Sequence, residues 1–156
     1  VNVNTLPTVK DAIQSGVANG IPLAVFLDPD CPYCQALQAE LSVQNHDLSI
    51  REYLMPIPEL HPDAPAHASA IWCADNPQSA LNDYMINGKL PIAKVCDVSA
   101  LERIQGFTRQ QGWEATPTLV RADGAVYEGY MPYDQLVAWA KAGLTTQIQE
   151  QGGTHA

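Results

Sequence analysis

The sequence predicts an α/β fold, and three observations carry that expectation. Residues 22–28 form a short, continuous apolar run, the pattern of a strand buried on both faces. A helix-compatible stretch at 32–44 follows almost at once, so strand and helix are joined by a tight junction. Near the end of the chain, Ala122-Asp123-Gly124 separates two strand-like runs, 117–121 and 125–128, as in a hairpin.

The composition fits this class. A chain of 156 residues with 46% hydrophobic residues is about one domain and can bury a core. The formal net charge is −9 and no Lys/Arg cluster is present, which disfavours nucleic acid and anionic membrane surfaces as partners. No apolar run approaches the ~20 residues that span a bilayer. The sequence starts at Val1 without a signal peptide, so a mature or trimmed product is expected.

Taken in order, Thr8 and Asp11 have capping-box spacing, and Val9, Ala12, Ile13, Gly16 and Val17 follow at helical spacing. A first helix is therefore expected before Asn19-Gly20, preceded by polar residues. After the 22–28 strand, the helix at 32–44 places Cys34, Leu37 and Leu41 on one face, with Gln35 and Gln38 pointing elsewhere. Residues 47–55 read as a second strand. Pro56, Pro58, Pro62 and Pro65 then impose a loop. Three helices are expected next, at about 66–74, 77–87 and 98–111. Pro77 stands at the start of the second, whose apolar stripe is Ala80, Leu81, Tyr84 and Met85, and Gly88 ends it. Leu101, Ile104 and Phe107 are the inward residues of the third. A last helix after Pro132 turns Tyr133, Leu136, Val137, Ala140 and Leu144 inward.

Setting the helical block aside leaves βαβ followed by ββα, the order of a thioredoxin-like fold with a helical insertion at about 60–112. The expected organisation is an N-terminal helix or linker at 1–20, a catalytic domain at 21–145 and a flexible tail at 146–156.

The chemistry centres on Cys31-Pro32-Tyr33-Cys34 at the strand-to-helix junction. A thiol at a helix start faces free N–H groups, which lower its pKa from about 8.5 and favour the nucleophilic thiolate. Cys31 has that position and is expected to be the exposed attacker, with Cys34, one turn on, a sheltered resolver. The competing readings are half of a zinc site and an inert disulfide. Zinc wants four ligands, usually two close pairs, and Cys73 and Cys96 are not close in sequence to each other or to Cys31 and Cys34. Those two are either buried thiols or a structural disulfide. An oxidising compartment favours the disulfide, whose loop of about 24 residues would contribute roughly 3–4 kcal/mol.

Thr116-Pro117 heads a strand that a thioredoxin-type fold brings opposite the two thiols. There Pro117 is expected to be cis, leaving the backbone of Thr116 to pair with an incoming substrate strand. Asp28 could tune the thiolate or relay a proton, or be a solvated strand-end carboxylate. Asp30 would raise the pKa of its neighbour Cys31. His46, His61, His67 and His155 lie in polar or loop contexts with no catalytic role expected, and Trp72, Trp113 and Trp139 are core or groove residues.

Phe26-Leu27-Asp28-Pro29-Asp30-Cys31-Pro32-Tyr33-Cys34 resembles the active-site stretch of the bacterial periplasmic disulfide isomerases DsbC and DsbG. So do Ile71-Trp72-Cys73-Ala74, Gly88-Lys89, Cys96-Asp97-Val98, Thr116-Pro117 and Gly129-Tyr130 before Pro132. The resemblance covers about residues 20–145. It implies Cys31 as nucleophile, Cys34 as resolver, Pro32, Tyr33, Thr116 and Pro117 as substrate-binding residues and a structural Cys73–Cys96 disulfide. It implies neither cofactor nor metal. The expected partners are substrate proteins with non-native disulfides and a membrane-bound thiol reductase as electron donor, in the periplasm. Isomerases of this family carry an N-terminal dimerisation domain, and only about 20 residues precede the first strand here; a homodimer is expected only if that domain was trimmed away. A net oxidant of the DsbA type and a thiol-shielding holdase are the alternative functions.

Overall fold

The computed structural model describes the backbone of residues 1–153 and the side chains of residues 1–144. Five strands, β1 (Ile13–Gly16), β2 (Ile21–Leu27), β3 (Leu48–Leu54), β4 (Thr118–Arg121) and β5 (Val126–Glu128), make a mixed sheet in the order β1-β3-β2-β4-β5. β2 and β3 run parallel, with Leu23 opposite Ile50 and Leu27 opposite Leu54, and every other pair is antiparallel. The helices are α1 (Pro32–Gln44), α2 (Ala64–Trp72), α3 (Pro77–Asn87), α4 (Ser99–Gln111) and α5 (Tyr133–Gly153).

β2 is central because both of its faces are apolar. Leu23, Val25 and Leu27 enter the larger core with Leu37 and Leu41 of α1, Ile71 of α2, Leu81 of α3 and Leu136 of α5. Ala24 and Phe26 point the other way, into a second core with Tyr53, Val120 and Ile104 of α4. Phe26 stacks on Tyr53 and meets the edge of Trp113 there. Period-two alternation on a strand covered on both sides produces this division.

The expected insertion is present as α2, α3 and α4. Asn76 caps α3 by accepting the Ser79 N–H, Pro77 occupies its first position and Gly88 closes it with a left-handed φ of 71°. A Cys73–Cys96 disulfide ties the end of α2 to the segment before α4.

Three expectations are corrected. Residues 8–17 are not an α-helix: a single 3₁₀ turn, Val9–Asp11, leads into β1, which pairs with the open edge of β3 from Ile13 opposite Glu52 to Gly16 opposite Ser49. The Thr8 side chain caps nothing, and the Asp11 carboxylate instead accepts two hydrogen bonds from Arg103. A ladder along an exposed strand edge satisfies more backbone groups than an isolated two-turn helix, so residues 1–20 are no linker but supply a sheet edge. Second, Gln38, expected to point elsewhere than Cys34, Leu37 and Leu41, is nevertheless buried with them, and its amide donates to Asn82 of α3 at 2.8 Å. Third, the backbone of α5 runs on to Gly153, past the start of the tail expected at 146–156, while residues 154–156 lie outside the described residues.

Candidate active site

Strand β2 ends at Leu27, and Asp28-Pro29-Asp30 carries the chain across to α1. Cys31 is the N-cap of α1, its N–H donating to the Asp28 carbonyl at 3.1 Å and its carbonyl accepting from Gln35 N–H at 2.9 Å. Pro32 fills the first helical position, where a missing N–H costs nothing, so the helix starts at the first thiol. Cys34 lies on the face of α1 that packs on the sheet. Pro32 and Tyr33 between them are exposed.

Both thiols are free, and they differ in kind. The pKa of Cys31 is lowered to about 5, chiefly by the hydrogen bond from the Cys34 thiol, then by Thr116 and by the N–H groups of Cys34 and Tyr33, against the opposing effect of burial. Burial pushes Cys34 far up, and its hydrogen bond to Cys31 adds to the rise. One proton is therefore shared unequally: Cys34 keeps it and Cys31 gives it up. Cys31 is less open than its expected role as exposed attacker suggests, with a relative exposure of 6% against 1% for Cys34.

The roof over Cys31 is the Thr116–Pro117 segment. That peptide bond is cis, and Cys31 Sγ lies 3.5 Å from the Thr116 carbonyl oxygen, to which it donates only while protonated. Pro117 is buried, its own carbonyl taken by Gly129 N–H, so β4 begins its pairing with β2 only at Thr118 opposite Phe26. A groove of about 450 Å³ is lined by Met55, Ile57, Leu60, Arg109 and Trp113 among others. Trp113 is thus both a core and a groove residue, while Trp72 and Trp139 pack on the core.

The two aspartates before Cys31 are not solvated strand-end groups. Asp28 is fully buried and its carboxylate accepts from Asp30 N–H at 2.8 Å and Ile57 N–H at 2.9 Å, with His61 Nδ1 2.9 Å from Oδ2. Asp30 pairs with His67 Nδ1 of α2 at 2.9 Å and accepts the hydroxyl of Tyr84 from α3. The rise expected from Asp30 does not occur: the pKa of Cys31 is lowered, through its hydrogen bonds to Cys34, Thr116 and the helix N–H groups. Sequence reasoning missed this cluster. Tyr84 reads as part of an apolar stripe, and neither histidine is near the thiols in sequence; the loop after β3 and the docking of α2 and α3 bring them there.

Cys73 and Cys96, bonded to each other, cannot join Cys31 and Cys34 as zinc ligands. Among the described residues no three His, Cys, Asp or Glu side chains are grouped to hold a metal ion. No helix among them is long and apolar enough to cross a membrane.

A sheet of this order with a dithiol at the β2–α1 junction and a cis proline facing it defines a class. The model of the thioredoxin-like domain family matches residues 9–144, and the chain belongs to that family. Within it, the chain is 33% identical to the probable thiol:disulfide interchange protein DsbC of Bordetella parapertussis over 116 residues, 74% of this chain and 40% of that protein. It is 32% identical to the thiol:disulfide interchange protein DsbC of Escherichia coli K12 over 111 residues, 70% of this chain and 46% of that one. The crystal structure of a disulfide interchange protein from Neisseria gonorrhoeae superposes with a TM-score of 0.79 at 36% identity, covering 87% of this chain and 97% of that one. The chain thus spans about half or less of the length of the curated relatives it matches.

Proposed function

We propose that the chain is a thiol–disulfide oxidoreductase acting on disulfides of other proteins, as isomerase and reductase. The observation that carries this reading is the inequality of its thiols, an ionised Cys31 at the helix start and a protonated, buried Cys34 one turn behind.

The Cys31 thiolate attacks one sulfur of a substrate disulfide. A Cys31–substrate disulfide forms, and the other substrate sulfur leaves as a thiolate that takes a proton from water. From there two routes open. Another substrate thiolate attacks the mixed disulfide, a new substrate disulfide forms and Cys31 is restored with no net electron transfer; this is isomerisation. Alternatively Cys34 loses its proton and attacks Cys31, giving a Cys31–Cys34 disulfide and a substrate reduced by two electrons. The second route needs an external dithiol reductant to reset the pair. In this reading that donor is a membrane-bound thiol reductase and the setting is the periplasm, as for proteins of the DsbC type. The exposed Pro32 and Tyr33 and the backbone of Thr116 hold the substrate strand beside Cys31.

Cys31→Ser is expected to abolish both insulin reduction and refolding of scrambled ribonuclease, while Cys34→Ser keeps the first exchange and accumulates mixed disulfides on non-reducing gels. Full activity in Cys31→Ser would sink the assignment. A net oxidant is favoured by one observation, the low pKa of Cys31: a stabilised thiolate stabilises the reduced pair and makes the disulfide more oxidising. A reduction potential near the ~−120 mV of a strong oxidase, rather than well below it, would decide for that reading.

A further inference from the structure

Asp28 poses an electrostatic problem. A fully buried carboxylate three residues before a thiolate should suppress that thiolate, yet Asp28 has two N–H donors and an imidazole for company. The imidazole belongs to His61, in the loop between β3 and α2, and about a quarter of its side chain is exposed, so it exchanges protons with solvent. The backbone carbonyl of the same Asp28 accepts the Cys31 N–H, so the residue that carries the carboxylate is also fixed to the head of α1. The titratable groups facing His61 are Asp28 and Asp30 from the β2–α1 junction and Cys31 at the head of α1, with His67 of α2 and Tyr84 of α3 engaged on Asp30 behind them.

We infer that His61 is a positioning residue for thiol exchange: as an imidazolium bound to Asp28 it cancels the buried carboxylate beside Cys31 and so keeps Cys31 ionised. The inference rests on Cys31 being the attacking thiol. In support, the pKa of His61 is raised, first by its hydrogen bond to Asp28 and further by the charge of Cys31 itself. Cys31 titrates at about 5, a pH at which His61 is fully charged. The coupling is reciprocal, because whatever His61 contributes to the thiolate the thiolate contributes to the imidazolium.

The test is the pH dependence of iodoacetamide labelling in the reduced protein, with mass spectrometry to locate the label. Cys31 is expected to be labelled with a midpoint near pH 5, and His61→Gln is expected to raise that midpoint by about one unit, a fall of about fivefold in rate at pH 5. Asp28→Asn added to His61→Gln is expected to return the midpoint towards the original value, which repair of a merely structural defect would not do. An unchanged midpoint in His61→Gln with label on Cys31 overturns the inference alone. Label on Cys34 ahead of Cys31 overturns the nucleophile assignment and the inference with it. Should His61→Gln not fold, the same coupling is read in the unaltered chain by following the His61 ring proton in NMR. Its pKa is expected to fall once Cys31 is capped with neutral iodoacetamide, and no fall overturns the inference.

Discussion

At the scale of single residues, titration is where the sequence and the folded chain differ most. Cys31 ionises at about 5 in the native state and near its ordinary value of 9.0 when unfolded, so between those values the unfolded chain binds more protons. Stability of the reduced protein therefore rises with pH through this window and is lost as pH falls through about 5. His61 acts with the opposite sign: its raised pKa favours the folded state below 6.5, a contribution lost as pH climbs through the folded value. Urea midpoints of the reduced protein are expected to climb between pH 5 and pH 8, and Cys31→Ser is expected to flatten the climb. Glu52 is a second case. It lies on the core face of β3 with Oε1 accepting from Ser15, while Oε2 has no protein partner among the described residues. Burial raises its pKa, so its stabilising form is the protonated one and the fold bears a cost at neutral pH. Glu52→Gln keeps the acceptor for Ser15, and its thermal midpoint at pH 7 is expected to rise by about 3 °C. No rise, or a fall, in calorimetry would show that the carboxylate is compensated.

Among elements, the junction from β2 to α1 was legible because independent signals agree there: an unbroken apolar run, a proline at the first helical position and two thiols one turn apart. α3 was legible for the same reason, with Asn76, Pro77 and Gly88 marking both ends. β1 was not. Its residues have helical spacing, and what overrides that spacing is an edge of β3 that no local pattern reveals. Gly16 records the outcome. Its φ is +85°, and a Cβ there would fall 2.1 Å from the Leu48 carbonyl oxygen, so the edge strand docks only without a side chain at that point. Gly16→Ala is expected to destabilise by more than about 1 kcal/mol in chemical denaturation, whereas Gly106→Ala, at an open helical position, should not destabilise. The acidic loop was legible as sequence and illegible as chemistry. Its partners His61, His67 and Tyr84 come from the loop after β3, from α2 and from α3, all distant from it in sequence.

For the whole molecule, the Cys73–Cys96 bond holds the insertion closed over 23 positions. Removing it through a Cys73→Ala, Cys96→Ala double variant is expected to lower stability by about 3 kcal/mol, read from denaturant midpoints. The same variant tests how far the insertion and the site act as one body. Since α2 and α3 carry His67 and Tyr84, loosening them should also shift the labelling midpoint of Cys31 upward, although neither cysteine is part of the reacting pair.

Because only 6% of Cys31 meets solvent, beneath the Thr116–Pro117 wall, the proposed exchange would act as a sieve for chain mobility. A disulfide embedded in a rigid surface cannot be brought against a sulfur set that deep. One carried by a segment that can lift away and lie extended along the wall can be. In that proposed exchange, selection would require no recognition of sequence: bonds in well-packed proteins would be spared because their surroundings hold them back, and bonds in poorly packed ones would be returned to exchange until they too were held.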